Sequence, residues 1–241
     1  MGADLVTARH GQGSRAIVVA DGEVPPRAAL DAAWPGWSHD VALVVAADGG
    51  ARGARSLGLR IDRWVGDGDS LDAADLSALA ASGVPLDRHS PDKDESDAEL
   101  AVVAAAASGA TDLTVLGALG GPRLDHSLAN IALLAHPDLA GRTARLLDAG
   151  VRVSLASAPG ADGSPVRCDL PGRVGDLVSL LPFGGDVRGV TTDGLRYPLR
   201  DEDLPMGPAR GLSNVRLAAS ASVSVRSGRL LIVETPVTLR G

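Results

Sequence analysis

Three short polar clusters hold the residues of this sequence that could do chemistry. They are the segments 66–70 (Gly-Asp-Gly-Asp-Ser), 90–99 and 120–126. Lys93 lies in the second of them and is the only lysine among the 23 Lys and Arg residues. An ammonium is a compact point charge suited to phosphate, whereas a guanidinium is a planar fork. A lone lysine among carboxylates therefore indicates contact with a phosphate-bearing substrate.

Asp67 and Asp69 are the first candidate metal ligands. We expect them to alternate in an extended segment, so that both side chains project in the same direction. Together with Asp94 or Asp97 they would form a hard, all-oxygen site of the kind that Mg²⁺ prefers. A glycine-rich turn that caps the following helix is the structural alternative for residues 67–70.

The segment Ser96 to Glu99 also fits the start of a helix. Ser96 is predicted as the N-cap, with Glu99 reaching back to it in a capping box. Asp97 would then lie in the first turn, where the helix dipole favours a carboxylate, and this role is compatible with metal ligation. Arg123 and Asp125 form either a surface ion pair of little energetic weight or, following a Gly-Gly turn, a phosphate contact.

The elements that must position these clusters alternate between strand and helix. Strands are predicted at 16–20, 41–46, 63–65, 113–116 and 144–147, and helices at 50–57, 72–81, 97–107 and 125–135. Continuous apolar strands separated by helices of about ten residues are typical of a parallel sheet covered on both faces. Ligands bind beyond the carboxyl ends of such strands. Asp48-Gly-Gly50 and the clusters at 66–70 and 120–126 follow directly after predicted strands.

The pattern changes after Asp148. Alternating segments at 151–156, 177–181, 220–226 and 229–235 are separated by Gly and Pro and show no helical period. This pattern is typical of an antiparallel sandwich or barrel. We therefore predict an α/β fold with two domains: a Rossmann-like parallel-sheet domain over residues 1–148 and a smaller all-β sandwich domain over 149–241.

The composition argues against several classes of protein. The net charge is −7, and the only aromatic residues are three Trp, one Tyr and one Phe, so nucleic acid is not an expected partner. There is no apolar run of about 18 residues and no pattern of a signal peptide, so we expect a cytoplasmic protein that does not enter the membrane. The one cysteine, Cys168, is predicted to be a small buried hydrophobe in a reducing compartment.

Common catalytic motifs are missing from the sequence. It contains neither Gly-x-Ser-x-Gly nor a cysteine with a credible base, and neither a phosphate-binding P-loop nor Gly-x-Gly-x-x-Gly. These absences leave a metal-dependent phosphoryl or pyrophosphoryl transfer that is built from carboxylates.

The ordered set of motifs resembles the thiamine pyrophosphokinase family. The motifs lie at 48–50, 66–70, 93–97, 120–126 with Asn130, 192–198 and 211–214. They occur in order along nearly the whole chain. The resemblance implies transfer of the pyrophosphoryl group of ATP to the hydroxyl of thiamine, which gives thiamine diphosphate and AMP.

The resemblance also implies roles for individual residues. It implies Mg²⁺ ligation by Asp67, Asp69 and Asp97, and a homodimer with its sites between the subunits. The catalytic residues that it implies are Asp69, Asp97, Lys93, Arg123 and Asp125. The substrate-binding residues assigned on the same basis are Asp48, Gly49, Gly50, Ser70, Asp94, Ser96, Ser213 and Asn214.

Three other functions are compatible with the residues. A pyrophosphokinase for another alcohol, such as a hydroxymethylpterin, would share the phosphate and metal machinery. A non-catalytic module that senses thiamine or a nucleotide is disfavoured, because clustered carboxylates repel one another. A nucleotide-sugar transferase that uses Asp67 and Asp69 would prefer a sugar nucleotide to ATP.

Overall fold

A parallel sheet forms the centre of the structure, a computed structural model that describes residues 14–160 and 162–237. Its six strands lie in the order β4-β3-β2-β1-β5-β6 and are all parallel. The strands are β1 (Ser14–Val19), β2 (Val41–Ala47), β3 (Arg63–Gly66), β4 (Leu86–Arg88), β5 (Ala110–Leu116) and β6 (Thr143–Leu147). The predicted parallel sheet is therefore confirmed, and β4 adds a three-residue strand that is too short to show a sequence period.

Helices cover both faces of this sheet. They are α1 (Arg27–Ala33), α2 (Gly50–Ser56), α3 (Ala73–Ala81), α4 (Asp97–Ala107), α5 (Leu124–Leu133) and a 3₁₀ turn at Pro137–Leu139. Four of the five α-helices match predicted segments. The helix that was not predicted, α1, is seven residues long, as is the predicted α2.

Two apolar layers enclose the sheet. One contains Val18, Val45 and Val115 with the inner face of α4, and the other contains Ile17, Val44 and Trp64 beside α1 and α2. Neighbouring residues of β1 thus enter opposite layers, as the two-residue period of a strand requires. Because α4 connects β4 to β5 and contacts β1, β2, β3 and β5, it crosses the sheet. Its first residue, Asp97, is thereby brought to the carboxyl ends of β2 and β3.

The chain changes to antiparallel pairing at residue 152. Strands β7 (Arg152–Ala158), β9 (Leu177–Pro182), β12 (Asn214–Val215) and β14 (Gly228–Thr235) extend the central sheet in the order β6-β7-β14-β9-β12. A second, four-stranded sheet has the order β11-β10-β13-β8, from β8 (Val166–Pro171), β10 (Val187–Asp193), β11 (Glu202–Leu204) and β13 (Ser220–Val225). A third apolar cluster, which includes Leu180, Val190 and Val223, contains residues of both sheets.

The α/β fold with an antiparallel second part is as predicted. The division into domains at 1–148 and 149–241 stays a prediction. β7 hydrogen bonds to β6, so one sheet runs through the predicted boundary. Cys168 lies in β8 and is half-buried beside the third cluster, and burial raises the pKa of its thiol. Among the described residues, no helix is long and apolar enough to span a membrane.

A buried ion network lies in the second half. Arg216 is fully buried and lies 2.7 Å from Glu234, whose side chain is 3% exposed. Glu234 also accepts two hydrogen bonds from Arg152, at 2.6 and 2.7 Å. Arg216 donates to the carbonyl of Leu170 as well. Buried charges of this kind need such partners, because desolvation of an unpaired ion costs several kcal/mol.

Candidate active site

Asp48 lies at the end of β2 and is held by the neighbouring strand. Its N–H donates to Val65 at 2.8 Å, and its carbonyl accepts from the indole of Trp64 at 3.0 Å. The backbone N–H of Ser70 donates to its Oδ2 at 3.1 Å. Asp48 is 2% exposed, yet its Oδ1 has no hydrogen-bond partner. An orphaned carboxylate oxygen at a buried position is a group that a cation would satisfy.

Gly49 and Gly50 allow the chain after Asp48 to pass close to the end of β1. A Cβ on Gly50 would lie 2.0 Å from the carbonyl oxygen of Val19, and a Cβ on Gly49 would lie 1.9 Å from Asp21 Oδ1. Both glycines therefore serve the close packing of the start of α2 against the end of β1. Whether they also contact substrate stays a prediction.

Replacing Gly50 with alanine is expected to destabilise the fold, because the carbonyl of Val19 belongs to the backbone and moves only with β1. We expect a loss of about 2 kcal/mol or more in the free energy of unfolding, measured by urea denaturation. Gly53→Ala in the same helix is the matched control. Its Cβ would meet only methyl groups of Val19 and Val24 at 3.2 Å, so equal losses in the two variants would contradict the packing role of Gly50.

Asp67 and Asp69 lie in a turn and not in the expected extended segment. Strand β3 ends at Gly66, and Gly68 has φ +87°, a conformation that favours glycine. The turn directs the N–H of Asp69 to Asp67 Oδ1 at 3.0 Å, while Asp69 Oδ1 accepts from the hydroxyl of Ser70 at 3.1 Å. The prediction that Asp67 and Asp69 alternate in an extended segment is therefore wrong, because the chain bends at residues 68–70.

Lys93 joins two acidic segments. Its Nζ lies 3.1 Å from Asp67 Oδ2 and 3.1 Å from Asp97 Oδ1, and its side chain is 12% exposed. Burial opposes the charged form of Lys93, but its contacts with the carboxylates of Asp97 and Asp67 outweigh burial and hold the pKa of Lys93 above its ordinary value. The pKa of Asp67 is lowered, first by the backbone N–H of Asp69 and then by Lys93. Lys93 is thus a charged partner inside the acidic cluster.

Ser96 caps α4 as the sequence predicts, but the hydrogen bonds of the described residues do not include the return contact of Glu99 that a capping box requires. Its hydroxyl accepts from the N–H of Glu99 at 3.1 Å, and Asp97 lies in the first turn. The carboxylate of Glu99 lies 3.7 Å from Nε2 of His136. Asp94 and Ser96 line a small cavity of about 410 Å³ with Glu99 and His136.

The structure brings three carboxylates together, and we call them the acidic group. One oxygen from each of Asp48, Asp67 and Asp97 lies within 4.8 Å of the others. At an effective dielectric constant of about 20, two unit charges about 5 Å apart repel by roughly 3 kcal/mol. Oxygen ligands of this kind suit Mg²⁺, and the orphaned Oδ1 of Asp48 shows that the residues fit a cation.

The membership of the acidic group differs in one residue from the predicted metal set. Sequence reasoning gave Asp48 a substrate-binding role and made Asp69 the third ligand, whereas the carboxylates in mutual contact range include Asp48. The sequence signal for Asp48 was its position just after a predicted strand. That signal does not tell whether Asp48 or Asp69 lies closer to the carboxylates of Asp67 and Asp97. Ligation by Asp69 stays a prediction. Arg88, which sequence reasoning missed, lies nearby, with Nη1 3.6 Å from where a Cβ on Gly68 would be.

Arg123 and Asp125 form a paired group on the surface. Arg123 donates to both carboxylate oxygens of Asp125, at 2.9 and 2.5 Å, and the two side chains are 64% and 63% exposed. This pairing lowers the pKa of Asp125 well below its ordinary value. Asn130 of α5 donates to the carbonyl of Ala118 at 2.9 Å and so fastens the preceding loop. The pair lies at the start of α5, beside the loop that Asn130 fastens, and its phosphate contact stays a prediction.

Ser213 and Asn214 lie in the second half of the chain. Asn214 is buried, and its amide is used within the protein: Oδ1 accepts from the N–H of Tyr197 at 2.9 Å, and Nδ2 donates to the carbonyl of Tyr197 at 2.7 Å. Asn214 therefore positions Tyr197, whose side chain is exposed. Ser213 has φ +57°, and its N–H donates to the hydroxyl of Ser179 at 3.0 Å.

Comparisons with known proteins agree with this fold. The catalytic domain of thiamin pyrophosphokinase matches residues 36–145, and the vitamin B1 binding domain of thiamin pyrophosphokinase matches residues 166–230. A thiamine pyrophosphokinase from Bacillus subtilis is 24% identical over 200 residues, which are 83% of this chain and 90% of that protein.

Solved structures show the same fold. The crystal structure of thiamine pyrophosphokinase from Bacillus subtilis has a TM-score of 0.78 at 23% identity and covers 92% of this chain and 99% of its own. The crystal structure of thiamin pyrophosphokinase from Geobacillus thermodenitrificans has a TM-score of 0.74 at 26% identity. The match covers 92% of this chain and 97% of that chain. The matched family models and this fold are those of a transferase of the pyrophosphokinase class. Since the two family models together match more than half of its residues, the chain belongs to the thiamin pyrophosphokinase family.

Proposed function

We propose that the protein transfers the pyrophosphoryl group of ATP to the hydroxyl of thiamine, giving thiamine diphosphate and AMP. The family supports thiamine pyrophosphorylation in general. The observation that supports a metal-dependent reaction is the buried Oδ1 of Asp48, which belongs to the acidic group and has no hydrogen-bond partner. Asp48, Asp67 and Asp97 would hold Mg²⁺, with Asp69 nearby, and the ion would neutralise phosphate charge.

The transfer needs in-line placement of two substrates. The thiamine hydroxyl oxygen forms a bond to the β-phosphorus of ATP, and the bond from that phosphorus to the oxygen bridging the α- and β-phosphates breaks. AMP leaves with that oxygen, and the hydroxyl proton is released. In the proposal, Lys93 contacts the phosphates and Arg123 orients them, with Asp125 holding the guanidinium. Positioning of this kind provides much of the rate in phosphoryl transfer.

The substrate-binding residues implied by the resemblance lie in both halves of the chain. Gly49 and Gly50 begin α2 directly after Asp48, Ser70 donates its N–H to Asp48, and Asp94 and Ser96 precede α4. We propose that thiamine lies against the second half of the chain, near Ser213 and the Tyr197 that Asn214 positions. Tyr197 is 57% exposed, and an exposed aromatic ring suits a cationic heterocycle.

We further propose a cytoplasmic homodimer with its sites between the subunits. In it, residues 1–148 form the catalytic domain that binds ATP and Mg²⁺, and residues 149–241 form the domain that binds thiamine. Helix α5 has no buried residue, and its Leu124 and Leu128 are 71% and 58% exposed. Other large apolar side chains are exposed in the second half at Tyr197, Met206, Leu212 and Leu217. Exposed apolar side chains on both halves support contact with a second copy.

One assay tests the activity. The protein is incubated with ATP and Mg²⁺ and with either thiamine or a hydroxymethylpterin, and AMP is measured. We expect AMP and thiamine diphosphate in equal amounts with thiamine, and no AMP after chelation of the metal. AMP formation with the pterin but not with thiamine would show that the acceptor is a pterin. The absence of AMP with both alcohols would contradict the proposed activity.

A further inference from the structure

Lys93 has a position that its proposed phosphate contact does not require. Its ammonium lies at 3.1 Å from an oxygen of Asp67 and at 3.1 Å from an oxygen of Asp97. These two residues are two of the three members of the acidic group. A cation on a side chain of this protein therefore already neutralises part of the charge that a metal ion would neutralise.

Asp67 and Asp97 each have a contact with Lys93 that a metal ion bound to the same oxygen would replace. Asp67 Oδ1 accepts from the N–H of Asp69, and its Oδ2 lies against Lys93. Asp97 Oδ1 lies 3.1 Å from the same ammonium, an ion-pair contact without a hydrogen bond. A carboxylate oxygen in contact with an ammonium must give up that contact before it ligates a metal ion closely, because the two cations repel each other.

We propose that Lys93 is a tethered cation that occupies the acidic group in the metal-free protein and exchanges with the divalent ion. The ion displaces the ammonium, and the phosphates of the nucleotide that arrives with the ion accept it. The exchange explains why the only lysine of the chain lies within an acidic segment. It rests on the proposed metal site and adds a coupling between metal and nucleotide.

The exchange predicts that metal and nucleotide bind cooperatively. A bare divalent ion has to displace Lys93 into solvent, whereas an ion that arrives with a triphosphate offers the ammonium a new anionic partner. The affinity for the bare ion is then reduced by the cost of displacement, and a nucleotide removes that reduction. Coupling of this kind makes the metal–nucleotide complex the form that binds.

Lys93→Met tests the exchange, because methionine keeps much of the length of the side chain and removes its charge. Binding of Mn²⁺ is measured by electron paramagnetic resonance, without nucleotide and with a non-hydrolysable ATP analogue. We expect Lys93→Met to bind Mn²⁺ alone at least about tenfold more tightly than the wild type. The increase in Mn²⁺ affinity on adding the analogue is expected to be smaller in this variant.

Two further variants separate the exchange from a general effect of charge. Lys93→Arg keeps a cation and is expected to bind bare Mn²⁺ as weakly as the wild type. Arg60→Met removes one charge at an arginine that is 87% exposed and precedes β3, and we expect less than a twofold change. Thermal unfolding without metal adds a structural measurement: Lys93→Met is expected to have a lower Tm than the wild type and a larger increase in Tm with Mn²⁺.

The outcomes distinguish the exchange from the proposed function. If Lys93→Met, folded by circular dichroism, binds Mn²⁺ no more tightly than the wild type and shows the same coupling to the analogue, the exchange is wrong while the metal site stands. If neither protein binds Mn²⁺ in the presence of the analogue, the metal site is refuted and the exchange with it.

Discussion

Asp48→Asn is expected to lower the rate of AMP formation at least about 100-fold while the fold is kept. Asparagine has the same size as aspartate and still offers an oxygen to the N–H of Ser70. It removes one of three neighbouring negative charges, so the metal-free protein is expected to have an equal or higher Tm. Activity is measured from AMP release, and stability by thermal unfolding.

Glu95→Gln is the control for Asp48→Asn. It removes one negative charge from an exposed residue of the segment that holds Lys93, and we expect less than a twofold change in rate. If Asp48→Asn kept more than a tenth of the wild-type rate, Asp48 would not belong to the metal site. Asp69→Asn in the same assay decides whether Asp69 is also a ligand, because near-normal activity in that variant would remove it from the set.

Arg216→Met is expected to lower the free energy of unfolding by about 3 kcal/mol. The substitution leaves the buried Glu234 with Arg152 as its charged partner and leaves the carbonyl of Leu170 without its guanidinium donor. A buried acceptor without a partner costs about 1–3 kcal/mol. The measurement is urea denaturation, in which the midpoint is expected to fall with an unchanged slope.

Arg226→Met is the matched control for Arg216→Met. Arg226 pairs with Asp201 at 2.8 Å, but the two side chains are 55% and 65% exposed. An exposed pair contributes at most about 1 kcal/mol, so this variant is expected to unfold close to the wild type. A loss in Arg216→Met as small as in Arg226→Met would show that the buried network adds little to stability.

Most of the first half could be predicted from the sequence. Continuous apolar strands and alanine-rich helices indicated the parallel sheet, and Ser96 indicated the start of α4, because these signals are local. β4, β11 and β12 were missed because they span only three, three and two residues, too few to show a strand period. α1, β8 and β10 were missed although elements of the same length were predicted.

The candidate site could be predicted only in part. Rules for parallel sheets brought Asp48, Asp67 and Asp97 to one edge, as the structure confirms. They could not order the carboxylates by distance, because the direction of a side chain in a loop depends on backbone angles such as φ +87° at Gly68. The use of Asn214 inside the protein depends in the same way on Tyr197, 17 positions away in the chain.

The sequence by itself determined the types of the reactive groups, the strands that they follow and the family that they resemble. Only the tertiary structure decided that Asp48 joins the acidic group, that Lys93 neutralises two of its members, and that one sheet continues from β6 into β7. The physical reason is that composition and periodicity act over a few neighbouring residues. Charge interactions and strand pairing, by contrast, depend on distances in space between segments that lie far apart in the chain.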